Sequence, residues 1–213
     1  FNTEVTGFTW EDGFWTIHTN HGDFESRYVI NAAGVYADVL HNMVSTRKLH
    51  ITPRRGDYCL LDKNTGDFVS HTIFQLPGKL GKGVLVSPTV HGNLIVGPDA
   101  VRVEGDDTSC TSKGLEFVKT TAQRSIPDIN FGESIRNFAG VRANVDVDDF
   151  VIEEAADVPG LIDLAGMKSP GLSSAPAIAR EAVKILASKD ILGAEKTNYK
   201  DGRRHIRFKE LSP

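Results

Sequence analysis

Two short apolar runs, one near each end of the chain, constrain the fold more than any other feature. Residues 28–34 run Tyr-Val-Ile-Asn-Ala-Ala-Gly, and residues 161–166 run Leu-Ile-Asp-Leu-Ala-Gly. Apolar runs of this length are typical of strands buried in a parallel sheet. We therefore predict that the two runs come together in one layer, which joins residues 1–35 with about 146–190.

The remaining sequence predicts antiparallel strands. Residues 4–28 alternate apolar and polar side chains and contain Asp-Gly and His-Gly turns, which indicates a β-meander. Between residues 51 and 110, four candidate strands are separated by Gly and Pro, so an antiparallel sheet is expected over 51–145. Helical spacing of apolar residues predicts helices at 36–44, 112–125 and 175–188. The expected fold class is α+β with an α/β remnant.

Composition excludes several classes of protein. The 213 residues are 40% hydrophobic, which is too apolar for a disordered chain. A net charge of -4 provides no basic field for a nucleic-acid backbone. Cys59 and Cys110 stand alone, so neither a disulfide framework nor a zinc knuckle is expected, although one disulfide between them stays open. A reducing cytoplasm is the expected compartment.

Several segments imitate catalytic or metal-binding motifs but have the wrong spacing. The segment at 166–171 is one residue too long for a nucleophile elbow, and Pro170 lacks the amide that an oxyanion hole needs. Residues 144–155 begin like a calcium loop but lack its central Gly and its final Glu. His18 and His21 have no third ligand nearby in the sequence. No metal site is predicted.

The segment from Gly166 to Ser174 makes the strongest case for a binding site. It joins the end of a strand, a turn rich in Gly and Ser, and the start of a helix with Ser174 as the expected N-cap. Helix N-termini present free amides and the positive end of the helix dipole. In open α/β sheets, ligands bind at such strand ends, so an anionic ligand is favoured here.

At this point the sequence resembles a known family. Residues 29–38, Val-Ile-Asn-Ala-Ala-Gly-Val-Tyr-Ala-Asp, are similar to the flavin-contacting strand and turn of the FAD-dependent D-amino-acid oxidase-like superfamily. Residues 165–179 resemble its C-terminal flavin-binding turn. Further segments resemble its glycerol-3-phosphate dehydrogenase-like branch, namely 53–58, 88–93 and 140–144. The resemblance covers nearly the whole chain.

The resemblance implies FAD as the cofactor. It divides the chain into the remainder of an FAD-binding domain, a substrate domain built on the antiparallel sheet, and an exit segment, at 1–50 with 146–190, 51–145 and 191–213 respectively. Helix N-terminal amides would lie near the flavin N1 and O2, where negative charge develops on reduction. The cofactor-binding residues implied in this way are Ala32, Ala33, Gly34, Gly166, Gly171, Leu172 and Ser173.

The family's pyrophosphate loop, Gly-x-Gly-x-x-Gly, does not occur in this sequence. The chain also opens without Met, as if within a strand. We therefore expect a fragment without the principal dinucleotide anchor, colourless when purified and inactive by itself. For the parent protein, the resemblance implies an iron–sulfur domain downstream and a peripheral-membrane or electron-acceptor partner.

Arg142 corresponds to the Arg of the family's Gly-x-Arg-Pro motif, which meets the substrate's anionic group, although Ala143 replaces the Pro here. Arg142 and His91 are the catalytic candidates, and Arg55 joins Arg142 as a candidate substrate ligand. An ion pair between Arg142 and a nearby acidic residue is the competing interpretation, with Asp146 or Asp148 as the partner. His91 and Arg55 are the weaker candidates, because each suits a surface or hairpin position better than a catalytic one.

Three functions stay open from the sequence. The first is FAD-dependent oxidation of a small anionic alcohol, with glycerol 3-phosphate as the leading substrate. The second is oxidation of a 2-hydroxy acid or an amino acid by the same fold. The third is a binding module without catalytic activity.

Overall fold

The computed structural model describes residues 1–76, 83–189, 192–194, 196–200 and 202. Within them the chain forms twelve strands and three α-helices. The strands are β1 (Val5–Glu11), β2 (Phe14–Thr19), β3 (Gly22–Ser26), β4 (Val29–Asn31), β5 (Ile51–Leu61), β6 (Ile73–Phe74), β7 (Leu85–Pro88), β8 (Leu94–Gly97), β9 (Val101–Arg102), β10 (Ser134–Val145), β11 (Val151–Glu154) and β12 (Leu161–Ala165). The helices are α1 (Ala37–Val44), α2 (Ser112–Ser125) and α3 (Gly171–Ala187).

The predicted β-meander is present as the antiparallel sheet β1-β2-β3. It is a sheet of its own, so the prediction of one layer with the second apolar run is wrong in this respect. Its three strands form their backbone hydrogen bonds with one another, and side chains such as Trp15 contact the rest of the protein. Trp15 is buried against Val158 and Leu161, and its Nε1 donates to the Pro159 carbonyl at 3.0 Å.

The expected antiparallel sheet is confirmed over the middle of the chain. Its order is β10-β5-β8-β7-β6, and β9 also pairs with β5. The long β5–β10 pairing matches Ile51 with Val145 at one end and Leu61 with Ser134 at the other. Helix α2 covers one face, and the core between them holds Cys59, Leu61, Val84, Val86, Leu94, Val96, Val118, Ala122 and Ile129.

The two apolar runs form neighbouring parallel strands in a third sheet. Its order is β11-β12-β4, with β12 antiparallel to β11 and parallel to β4. The register aligns Leu161 with Val29 and Asp163 with Asn31. Consequently the segments that follow the two strands leave the sheet at the same edge.

Helix α3 begins at Gly171, four residues before the predicted start at residue 175. Pro170 is its N-cap, and no side chain caps the helix. The Ser174 amide already donates to the Pro170 carbonyl at 3.1 Å, so Ser174 is not the N-cap. Pro176 therefore lies in the second turn.

Both cysteines are free thiols, so the disulfide left open by the sequence does not form. Cys59 is buried in the core and Cys110 is half-buried. No helix among the described residues is both long enough and apolar enough to cross a bilayer. Most of the exit segment at 191–213 lies outside the described residues.

Candidate functional site

The site begins where β4 and β12 end side by side. Ala32, Ala33 and Gly34 follow β4, and Gly166 follows β12. Gly34 has a φ of 61°, and a side chain there would meet no atom within 4 Å, so the backbone is open to an approaching ligand. At position 166 Gly is required by the backbone conformation and by the lack of space for a side chain. Its φ is 73°, and a Cβ would lie 2.5 Å from the Val145 side chain.

A buried polar network holds these two strand ends in place. The Asn31 amide donates to the Asp163 carboxylate at 2.8 Å and to the Ala37 carbonyl at 2.8 Å. His41 Nδ1 lies 2.7 Å from the other Asp163 oxygen, while its Nε2 lies 2.7 Å from the Arg47 carbonyl. The network therefore ties α1 to both parallel strands. Sequence reasoning missed it, because it joins residues more than a hundred positions apart.

The turn after β12 presents free amides at the start of α3. Within it, Lys168 N–H donates to the Gly166 carbonyl and Gly171 N–H to the Lys168 carbonyl. The amides of Leu172 and Ser173 have no acceptor among the described residues. The Leu172 side chain is 93% exposed. Unsatisfied amides at a helix N-terminus favour negative charge in front of them.

Arg142 reaches the same place from β10. A cleft of about 680 Å³ is lined by Val141, Arg142 and residues 167–173. Lys168 also lines this cleft, so two cationic side chains stand beside the helix N-terminus. Fold and sequence therefore agree in bringing Arg142, Gly171, Leu172 and Ser173 together. Their roles toward a cofactor or substrate stay predictions.

The guanidinium of Arg142 extends over Gly56 on the neighbouring strand. A Cβ at Gly56 would lie 2.7 Å from Arg142 Nη2 and 3.0 Å from the Asp99 carbonyl oxygen. Burial raises the pKa of the Asp99 carboxyl, and the positive charges of Arg55 and Arg142 oppose that shift. Among the described residues Arg142 forms no ion pair within 4 Å, and Asp146 and Asp148 are exposed, so the structure contradicts the competing interpretation.

Arg55 does not enter this cleft. It is 4% exposed and lies 3.1 Å from Asp57 Oδ1 through its Nε, and 3.1 Å from Asp107 through Nη1. It also donates to Thr111 Oγ1 at 3.3 Å. Side chains alternate along β5, so Arg55 points to the face that packs on α2, while Arg142 lies on the other face. The structure gives Arg55 a structural role in place of the predicted substrate contact.

His91 is distant from Arg142. It is exposed in the turn between β7 and β8. That turn lies at the Leu61 end of β5, since Leu94 pairs with Leu61, whereas Arg142 pairs with Arg54. Seven residues of strand separate the two places, roughly 20 Å. The structure therefore does not support His91 as a catalytic partner of Arg142.

The cleft fits one end of FAD. Free amides and two cations line the cleft, which suits a ring that gains negative charge on reduction, and the open backbone at Gly34 lies at the adjacent strand end. For the dinucleotide end, the sequence contains no Gly-x-Gly-x-x-Gly loop of the kind that receives a pyrophosphate. The chain therefore carries residues suited to the flavin ring but not the pyrophosphate anchor.

Comparison with known proteins agrees with this geometry. The sequence pattern of the FAD dependent oxidoreductase family matches residues 1–185. The glycerol 3-phosphate dehydrogenase of Caloramator mitchellensis is 48% identical over 99% of this chain and 44% of its own length. The glycerol 3-phosphate oxidase of Mycoplasma genitalium is 40% identical over 78% of this chain and 44% of its own.

A solved structure shows the same fold. The dithionite-reduced L-α-glycerophosphate oxidase of Mycoplasma pneumoniae, with FAD bound, superposes with a TM-score of 0.78 at 36% identity. The alignment covers 87% of this chain and 50% of that one. The chain thus spans about half the length of the relatives that it matches.

Proposed function

Because this chain belongs to the FAD-dependent oxidoreductase family, we propose that it supplies the substrate-binding half of an enzyme that oxidises glycerol 3-phosphate. One observation carries the proposal. A single cleft combines the free amides of Leu172 and Ser173 with the guanidinium of Arg142. The relatives named for glycerol 3-phosphate support the choice of substrate.

Each group in the cleft has a distinct task. FAD, when bound, would supply the hydride acceptor for the oxidation. The Leu172 and Ser173 amides would hold the flavin ring and stabilise negative charge on it. Arg142 binds the anionic group of the substrate and fixes its orientation, since a guanidinium offers two parallel N–H donors to one oxyanion. The Asn31–Asp163–His41 network keeps the two strand ends at a constant spacing.

We propose that the compartment is the cytoplasm. The support for this is that both cysteines are free thiols and that no disulfide forms among the described residues. A small anionic substrate is its proposed partner, on the support of the cationic cleft.

Replacing Arg142 tests the proposal in the protein with its flanking sequence. Arg142→Lys keeps the charge but loses the two-point geometry, and Arg142→Ala loses both. A charge-assisted contact of this kind is worth about 1.5–3 kcal/mol, so KM for glycerol 3-phosphate should rise about ten- to a hundredfold while FAD content stays normal.

Arg136→Lys is the matched control, because Arg136 is exposed on the same strand but pairs with Leu60, away from the cleft. Steady-state kinetics and a melting curve on all three variants decide the matter. A KM unchanged by Arg142→Ala would contradict the proposed role. Flavin reduction by a 2-hydroxy acid or an amino acid, and none by glycerol 3-phosphate, would contradict the proposed substrate.

A further inference from the structure

Three arginines occupy one rung of the central sheet. Arg142 on β10 is paired with Arg54 on β5, and Arg54 is paired on its other side with Arg102 on β9. Residues paired across adjacent strands project to the same face. The contact between Arg142 and the Gly56 position, two residues from Arg54 along β5, confirms that the Arg142 side chain lies on this face. We call these three residues the arginine rung.

The rung has no acidic partner in the part of the chain that is described. None of its three members forms an ion pair within 4 Å there. The Nε of Arg54 is buried and also has no hydrogen-bond acceptor among those residues. Like charges directly opposite each other on neighbouring strands are destabilising, so this arrangement costs folding free energy.

Two buried acidic groups of the sheet, Asp57 and Asp99, are turned to the other face. Asp57 and Asp99 both reach the first turn of α2, where a side chain at Gly114 would collide with their carboxylates. Asp57 contacts Arg55 there, and Asp99 accepts the Asp57 amide at 2.7 Å. The sheet thus separates the carboxylates of Asp57 and Asp99 on the α2 side from the arginine rung on the opposite face.

We propose that the rung is an anion-binding site selective for a dianionic phosphate group, in which Arg54 binds together with Arg142. Arg102, at the end of the rung, lines a different cleft together with Asp38 and Glu104 and contributes only through its positive charge. The proposal rests on the proposed function for the identity of its natural ligand. A single carboxylate is satisfied by one bidentate guanidinium. A phosphate monoester carries up to two charges and three acceptor oxygens, and so matches more than one guanidinium. Arg54 is thereby a substrate ligand besides Arg142.

The test measures binding of inorganic phosphate to the 213-residue chain by titration calorimetry, with sodium chloride holding the ionic strength constant. Arg54→Gln should weaken phosphate binding at least tenfold, and Arg102→Gln about threefold. Arg136→Gln is the matched control, since it removes an exposed arginine from the same face of β10 outside the rung and should leave binding unchanged. Acetate serves as the monoanionic probe and should bind more weakly than phosphate.

Arg54→Gln should also raise the thermal midpoint in phosphate-free buffer, because it removes the charge repulsion within the rung. The same variant should lose the stabilisation that phosphate gives to the unmodified chain. A residue with a purely structural role would lower the midpoint and leave the phosphate dependence intact.

Three results would overturn the rung as a phosphate site: no saturable phosphate binding to the unmodified chain, equal binding by Arg54→Gln and Arg136→Gln, or acetate binding as tight as phosphate. Failure of the proposed function has a different signature. In that case phosphate binding depends on Arg54 as expected, but glycerol 3-phosphate does not reduce the flavin of the protein with its flanking sequence.

Discussion

At the scale of single residues, strand alternation decides which arginine can act. Arg54 and Arg55 are neighbours in the sequence, yet one faces the cleft side of the sheet and the other is buried against α2. The residues around them, from Ile51 to Leu61, do not alternate cleanly between apolar and polar, so the sequence does not reveal which arginine faces the core. Register with β10 supplies the missing information. The prediction of Arg142 needed no such register, because it came from a motif.

Gly56 is a second residue whose role only the structure reveals. A Cβ at this position would lie 2.6 Å from the Pro98 side chain and 2.7 Å from Arg142 Nη2. The flexible Arg142 side chain can move away, whereas the Pro98 ring cannot do so easily. We expect Gly56→Ala to lower the free energy of unfolding by about 1–3 kcal/mol, as overpacking does, and to displace the Arg142 guanidinium.

Gly140→Ala is the matched control, since Gly140 is paired with Gly56 across β10 and β5, and a side chain there would meet no atom within 4 Å. Urea denaturation of both variants measures the stability change, and KM for glycerol 3-phosphate reports the displacement. Equal stability of the two alanine variants would show that the close approach at Gly56 relaxes without cost.

At the scale of elements, the buried carboxylate of Asp163 joins β12 to β4 and α1. Its side chain is 1% exposed and accepts from Asn31 while contacting His41 Nδ1 at 2.7 Å. Asp163→Ala would leave one Asn31 N–H and His41 Nδ1 buried without their present partner. Breaking a buried pair of this kind costs about 3–5 kcal/mol, so the urea midpoint should fall strongly.

Glu181→Ala provides the comparison for Asp163. It removes the exposed ion pair of Glu181 with Lys184 in α3, which is worth less than about 1 kcal/mol. If the two variants lost the same stability, the network would not be what anchors the strand ends.

Asp157, in the loop between β11 and β12, accepts hydrogen bonds from the loop that follows α1. Hydrogen bonds from the Thr46 side chain, the Ser45 side chain and the Thr46 amide hold the pKa of the Asp157 carboxyl well below its usual range. A carboxyl with a lowered native pKa stabilises the fold above its unfolded pKa of about 3.9, and this stabilisation is lost as the pH falls toward the native value.

Asp157→Asn should therefore lower the thermal midpoint at pH 7, and its difference from the unmodified chain should shrink as the pH falls below about 4. Melting curves over this pH range measure the effect. A difference that stayed constant with pH would mean that the carboxylate charge is not responsible.

Elements differ in how far the sequence determines them. The bounds of helix α2 agree with the prediction, because the helical spacing of its apolar residues is a local signal, and the structure adds Thr111 as its N-cap. The predicted start of α3 is wrong because Ser is a common N-cap residue, which favours Ser174. In the structure the N-cap is Pro170, and no side chain caps the helix. The parallel strands were anticipated from apolar runs, but the separate sheet of the meander depends on pairing partners that no local pattern specifies.

At the scale of the whole molecule, the described residues contain a cleft suited to one end of the expected cofactor. The cleft offers amides and cations that suit the flavin ring, while the sequence has no Gly-x-Gly-x-x-Gly loop to receive the pyrophosphate. In dinucleotide sites that loop and the helix behind it provide the main contacts to the charged phosphates. The part of FAD that carries most of its charge would therefore stay in water.

We accordingly expect the 213-residue chain to purify colourless and to bind added FAD weakly, while the protein with a Gly-x-Gly-x-x-Gly segment restored should be yellow. Visible absorbance of the purified chain and a flavin fluorescence titration measure both properties. The Arg142→Ala variant controls for binding through the cleft alone, since it removes a cation facing the ring site but no pyrophosphate contact. Stoichiometric FAD in the unsupplemented chain would show that the cofactor's anchor lies among residues 1–213 and that the flavin-ring contacts are sufficient to retain it.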